Sequence, residues 1–99
     1  MNKILSVLAA MAVLCASAVF AADKVTIQLK WVTQAQFAGY YVAQDKGFYK
    51  DEGLDVTIKP GGPDIAPAQV LAGGGAYVMV DWMPSALAAR EKGLPLVNI

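Results

Sequence analysis

The chain has 99 residues, 57% of them apolar, and its eight basic and eight acidic side chains give a formal net charge of zero. That length allows one domain at most, and the charge balance removes the electrostatic case for binding nucleic acid or an anionic membrane surface. The sequence holds no histidine and one cysteine, Cys15, so a histidine-based triad, a histidine zinc site and a disulfide are all excluded.

Met1 to Lys3 form a short positive start, Ile4 to Phe20 are almost uninterrupted apolar residues, and Ala21–Ala22 close the run before Asp23. This is the pattern of a secretory signal peptide, cut after Ala21 or Ala22. A membrane span is the weaker reading, because the run falls short of the roughly 20 residues a span needs and no basic cluster follows it. Leu14, bulky and directly before Cys15, argues against lipid attachment. The expected division is a signal peptide over 1–22 and a partial N-terminal lobe over 23–99. Removing Lys3 leaves seven basic against eight acidic side chains, a net charge of −1. So small a piece buries only about 60% of its unfolded surface. The closing "GLPLVNI" reads as the start of a strand, so the chain is expected to be a fragment of a longer protein.

The predicted elements alternate. Val25 to Leu29 alternates apolar and polar residues and is β-branched, which predicts a strand. Phe37, Tyr40, Tyr41 and Gln44 stand at helical spacing, predicting a helix over Phe37–Lys46 closed by Gly47. One more turn follows over Phe48–Glu52, ended by Gly53, and Leu54–Ile58 reads as a second strand. Asp64 is placed to cap a helix running to Ala72, with Pro67 in its first turn. Tyr77–Val80 reads as a third strand, Pro84 as position N1 of a helix through Lys92, and Leu96–Ile99 as a fourth strand. The fold class is therefore α/β, with βαβ units on a parallel sheet.

In an open parallel sheet, ligands sit beyond the carboxyl ends of the strands. Three segments fall there: Trp31–Phe37, Gly61–Asp64 and Asp81–Ser85. The expected ligand-binding residues are Trp31, Gln34, Gln36, Phe37, Tyr40, Gly62, Asp64, Asp81 and Trp82. Flat aromatic faces beside amide and carboxylate groups suit a planar, polar heteroaromatic molecule. The plainer roles are packing on the sheet for Phe37, Tyr40 and Tyr41, a helix cap for Asp64, and a simple turn for Gly61–Gly62. Enzyme chemistry lacks its parts. There is no GxGxxG and no Walker lysine–serine, Ser85 has no base, and the adjacent Asp51 and Glu52 diverge on a helix. No catalytic residue, metal ligand or cofactor site is assigned.

The stretches "VTIQLKWVTQAQFAGYYVAQDKGFYKDEGLDVTIKPGGPD" and "VLAGGGAYVMVDWMPSALAAREKGLPLVNI" resemble the periplasmic solute-binding proteins of ABC importers. The similarity is greatest to the thiamine-biosynthesis-like branch, which binds pyrimidine precursors of thiamine, riboflavin or related molecules. The resemblance implies lobe one of a two-lobed type II periplasmic-binding fold, truncated here. It also implies a small-molecule solute, a membrane permease as partner, a periplasmic location and a monomer. Trp31 and the residues after it would form one wall of the cleft, with Gly61–Asp64 and Asp81–Trp82 as its floor. Tyr77 and Met79 depart from the family's usual Gly-x-Ala-Asp-Val and small residue. The same fold includes a pyrimidine-precursor synthase that consumes its own histidine, a second reading for which this sequence holds no histidine. A nonfunctional truncated copy is the third.

Overall fold

The computed structural model describes residues 20–99, so most of the expected signal peptide lies outside the described residues. Strand β1 is Asp23–Gln28 and strand β2 is Leu54–Lys59. They pair in parallel over their whole length, from Asp23 opposite Leu54 to Gln28 opposite Lys59. Strand β3 is short, Val78–Met79, and pairs in parallel with Ile27 and Gln28 on the other side of β1. The sheet order is β2-β1-β3, which is the parallel α/β class expected.

Between β1 and β2 the chain makes a 3-10 turn at Ala35–Phe37, helix α1 over Ala38–Asp45 and the single turn α2 over Phe48–Asp51. Gly47 separates the two helices with φ of 76°, a left-handed conformation that a side chain resists. Helix α3, Pro67–Ala72, leads from β2 to β3, and helix α4, Met83–Glu91, follows β3. Since β2 and β3 flank β1 on opposite sides, right-handed crossovers place α1 and α2 on one face of the sheet and α3 on the other.

The core lies on the α1 side. Ile27, Leu29, Phe37 and Val56 are buried together, and Val25, Trp31, Tyr40, Tyr41 and Tyr49 pack against them. The alternation of β1 sends its odd-numbered residues into this layer. Gln44 reaches across to donate from Nε2 to the Val56 carbonyl at 2.7 Å, and the Tyr49 hydroxyl donates to the Tyr40 carbonyl at 3.1 Å.

Four local expectations are corrected. Asp64 is not a helix cap: α3 begins at Pro67 with Ala66 as its N-cap in extended conformation. A residue before proline is driven away from helical φ/ψ, so no helix could run from Asp64 through Ala66. Leu96–Ile99 is not a strand, because its backbone has no ladder partner and Leu96 N–H turns back to the Leu94 carbonyl. Apolar, β-branched content favours a strand only where a neighbouring edge receives it. The third strand is shorter than expected, Val78–Met79, although Tyr77 N–H and Val80 N–H still donate to the Thr26 and Gln28 carbonyls of β1 at 3.0 and 2.8 Å. Helix α4 starts one residue ahead of expectation, at Met83, which puts Pro84 at N2.

Candidate functional site

The carboxyl edge of the sheet is built by backbone that runs past the strands. Leu29 N–H donates to the Lys59 carbonyl and Val80 N–H to the Gln28 carbonyl, both at 2.8 Å. The chain after β2 then crosses the end of β1, where Gly61 N–H donates to the Trp31 carbonyl at 2.9 Å. Only glycine fits this crossing, since a Cβ on Gly61 would lie 2.4 Å from the Leu29 carbonyl oxygen and 2.5 Å from Lys30 carbonyl carbon. The Gly61 donor is therefore committed to this crossing. Gln28, a buried polar residue at 3% exposure, secures the same corner. Its Nε2 donates to the carbonyls of Leu29 at 3.0 Å and Pro60 at 3.1 Å, and more weakly to Lys59 at 3.4 Å. It thus supplies a partner to the Leu29 and Pro60 carbonyls, whereas that of Lys59 already accepts the Leu29 N–H.

On this corner sits a three-residue cluster. Lys30 Nζ lies 3.1 Å from Asp81 Oδ1, with the two side chains 16% and 4% exposed. The same Oδ1 accepts the Trp82 backbone N–H at 2.8 Å, which places a carboxylate directly before the N-terminus of α4. Lys30 Nζ also stands 4.8 Å from the centroid of the Trp82 ring, within reach of a cation–π attraction. One ammonium thus holds both a buried carboxylate and an indole that remains 61% exposed.

The nine residues expected at the site fall in four places. Asp81 and Trp82 come together as described. Trp31, Tyr40 and Phe37 gather around the core on the α1 side, where Phe37, 4% exposed, is a member of the buried cluster. Trp31 is half-buried against the same cluster, so it has the packing role that its strand-end position did not advertise. Gly62 is buried beside the Gly61 crossing, and its carbonyl accepts the Ile65 N–H at 3.2 Å. Gln34, Gln36 and Asp64 are exposed on the loops.

Sequence reasoning placed Gly61 at this edge but missed Lys30 and Gln28. Gln28 carries a readable signal, a polar residue in a strand that a parallel sheet buries on both faces. Lys30 carries a weaker one, the only charge between β1 and the first helix.

Two hollows mark the surface. One, of about 370 Å³, runs between α3 and α4 from Lys30 and Asp81 toward Lys92 and Leu94, with small residues such as Ala68 and Ala88 along it. The other, of about 340 Å³, lies between Tyr49, Lys50 and Leu54 at the amino end of β2. The first meets the carboxyl edge, where ligands of open parallel sheets bind. Among the described residues, no helix is long and apolar enough to cross a membrane.

Residues 34–99 match the protein family described as NMT1/THI5 like, and the chain belongs to that family. It is 33% identical over 79 residues to a formylaminopyrimidine-binding protein of Halalkalibacterium halodurans, an alignment covering 80% of this chain and 24% of that protein. It is also 33% identical over 81 residues to a Haemophilus influenzae protein named for thiamine biosynthesis, covering 81% of this chain and 26% of that one. A 4-amino-5-hydroxymethyl-2-methylpyrimidine phosphate synthase of Saccharomyces cerevisiae is 30% identical over 78 residues, covering 78% and 23%. The chain spans about a quarter of the length of these curated relatives. No solved structure matches it.

Proposed function

We propose that this chain is the opening part of an extracytoplasmic solute-binding protein that delivers a small heteroaromatic solute to the permease of an ABC importer. The solute class is a thiamine-type pyrimidine precursor or a riboflavin-like molecule. One observation carries the reading: an exposed indole, Trp82, anchored beside the buried Asp81 carboxylate at the carboxyl edge of a parallel sheet. A flat ring offers stacking area there, and the buried carboxylate with its lysine holds that ring in place. The name of the Halalkalibacterium relative supports a pyrimidine as the solute. Export is supported by the leader-like pattern of 1–22 and by the exposure of Phe20 to Ala22, since a cut after Ala21 or Ala22 leaves β1 whole.

A synthase of the same family is the second reading, favoured by the names of the yeast relatives. A site that makes a pyrimidine phosphate must hold a phosphate, and the one cation of the described cluster, Lys30, is already paired with Asp81. The test is calorimetry on the whole gene product with a formylaminopyrimidine, 4-amino-5-hydroxymethyl-2-methylpyrimidine and riboflavin, followed by analysis of the recovered ligand. Saturable binding with the ligand returned unchanged supports the carrier. Formation of a pyrimidine phosphate by the purified protein establishes the synthase, and the absence of heat with all three removes the proposed solute class.

A further inference from the structure

The Lys30–Asp81–Trp82 cluster has a charge property that the proposed function does not require. Asp81 is almost fully buried, so its carboxylate persists only with compensation, and Lys30 Nζ at 3.1 Å supplies it. Lys30 is itself mostly covered, at 16% exposure, and its ammonium is directed at two partners, the carboxylate and the ring of Trp82. The Asp81 oxygen that takes the ammonium also takes a backbone N–H. The exposed indole therefore rests on a cation whose charge is already matched. Two donors beside it are spent as well, since Gly61 N–H goes to the Trp31 carbonyl and the Gln28 amide to the carbonyls of Leu29 and Pro60. Helix α3, with Pro67 at its first position, adds no free N–H at N1.

We infer that Lys30 is a positioning and selectivity residue: by neutralising Asp81 under the ring of Trp82 it makes the stacking platform electrically balanced, so that the site takes an uncharged planar heterocycle and rejects its anionic counterpart. The inference rests on the proposed pyrimidine-type site and adds the charge class of what that site accepts. An anion arriving above Trp82 finds the ammonium beneath the ring already matched by Asp81 and gains little from it. A neutral ring loses little water and gains the stacking surface. Removing the carboxylate leaves the ammonium unmatched, and the preference then moves toward anions.

The test has a ligand-free arm and a ligand arm, both on the whole gene product carrying Trp31→Phe, so that Trp82 is the remaining indole of this segment. In the first, the Trp82 emission, taken as the difference from a control that also carries Trp82→Phe, is quenched by iodide, caesium and neutral acrylamide. Equal iodide and caesium quenching, each scaled to acrylamide, is expected for the otherwise unmutated protein. Asp81→Asn should raise the iodide response and Lys30→Met the caesium response, while Lys30→Arg should retain the balance. In the second arm, 4-amino-5-hydroxymethyl-2-methylpyrimidine and its phosphate ester are titrated. The neutral compound should bind at least ten-fold more tightly, and the ratio should fall toward one or invert in Asp81→Asn. Iodide exceeding caesium in the unmutated protein overturns the inference without any variant having to fold. Equal or tighter binding of the phosphate ester also overturns it while leaving a pyrimidine site in place. If neither pyrimidine binds, the proposed function fails, and the quencher arm still decides the charge balance by itself.

Discussion

At the scale of single residues, two neighbouring glycines should behave in opposite ways. A Cβ on Gly61 would press on the backbone of Leu29 and Lys30 at 2.4 to 2.6 Å, and backbone cannot rotate aside. Gly61→Ala should therefore cost about 3 kcal/mol or more, through displacement of the crossing that joins the ends of β1 and β2. A Cβ on Gly62 meets nothing within 4 Å, so Gly62→Ala should melt within a few degrees of the parent. Thermal unfolding followed by circular dichroism checks both, and equal melting temperatures for the two variants would refute the close crossing. The two tryptophans form a second contrasting pair. Trp31 packs on the core, so Trp31→Ala should lower stability by about 2 kcal/mol, less than the cost for a fully buried indole. Trp82 is 61% exposed, and Trp82→Ala should cost about 1 kcal/mol at most, the loss of one cation–π contact. In the whole gene product the same Trp82→Ala should weaken pyrimidine binding about ten- to a hundred-fold, the worth of one stacked ring. Trp82→Phe should restore part of it. Calorimetry and melting on the same samples separate the roles, and unchanged affinity in Trp82→Ala would remove it as the platform.

At the scale of elements, α2 is a single turn and owes its place to tertiary contacts. Its Tyr49 packs against the core and donates its hydroxyl proton to the Tyr40 carbonyl. Burial, followed by the neighbouring Tyr40, raises the Tyr49 pKa above its ordinary 10.0. The folded state then keeps a proton that the unfolded chain releases near pH 10. The contribution is fully present below that pH and is lost as pH rises through the folded pKa, because the native state there binds more protons than the unfolded one. Between about pH 9 and pH 11 the parent should lose stability more steeply than Tyr49→Phe, whose other titrating groups are the same. Parallel slopes in pH-dependent melting would show that Tyr49 is not coupled to folding. Elements like these were largely legible in the sequence. The β-branched alternation of β1 and β2 and the glycines at 47 and 53 are local signals, read without knowledge of the partner. The start of α3 was also local, but the effect of Pro67 on Ala66 outweighs the capping tendency of Asp64. What stayed hidden is non-local. Whether 96–99 forms a strand depends on an edge to receive it. The Lys30–Asp81 pair joins residues far apart in sequence that meet only because β3 docks beside β1. The residues after strand one illustrate the cost: Phe37 is buried in the core and Trp31 packs against it, while Lys30, between strand and tryptophan, reaches Asp81.

At the scale of the whole molecule, the described chain offers one edge of a site. Trp82 keeps most of its surface in water, and the groove between α3 and α4 begins at Lys30 and Asp81 with no second wall over the ring among the described residues. A molecule stacked on Trp82 alone would leave its other face solvated, whereas small-molecule sites enclose roughly 70–90% of their ligand. The curated relatives are about four times as long as the aligned stretch, which is room for a second lobe to close from the opposite side. Residues 23–99 by themselves should therefore bind a formylaminopyrimidine far more weakly than the whole gene product. Losing about half of the contacts costs several kcal/mol, and every 1.4 kcal/mol or so is a factor of ten in affinity. Calorimetry on both polypeptides, with circular dichroism confirming that 23–99 retains its helices and strands, makes the comparison. Submicromolar binding by 23–99 would mean that the Lys30–Asp81–Trp82 edge is a complete site, and the enclosing second wall would have to be abandoned. A weak but measurable interaction that still disappears in Trp82→Ala would place the first half of the contacts on this edge and leave the remaining affinity to the rest of the protein.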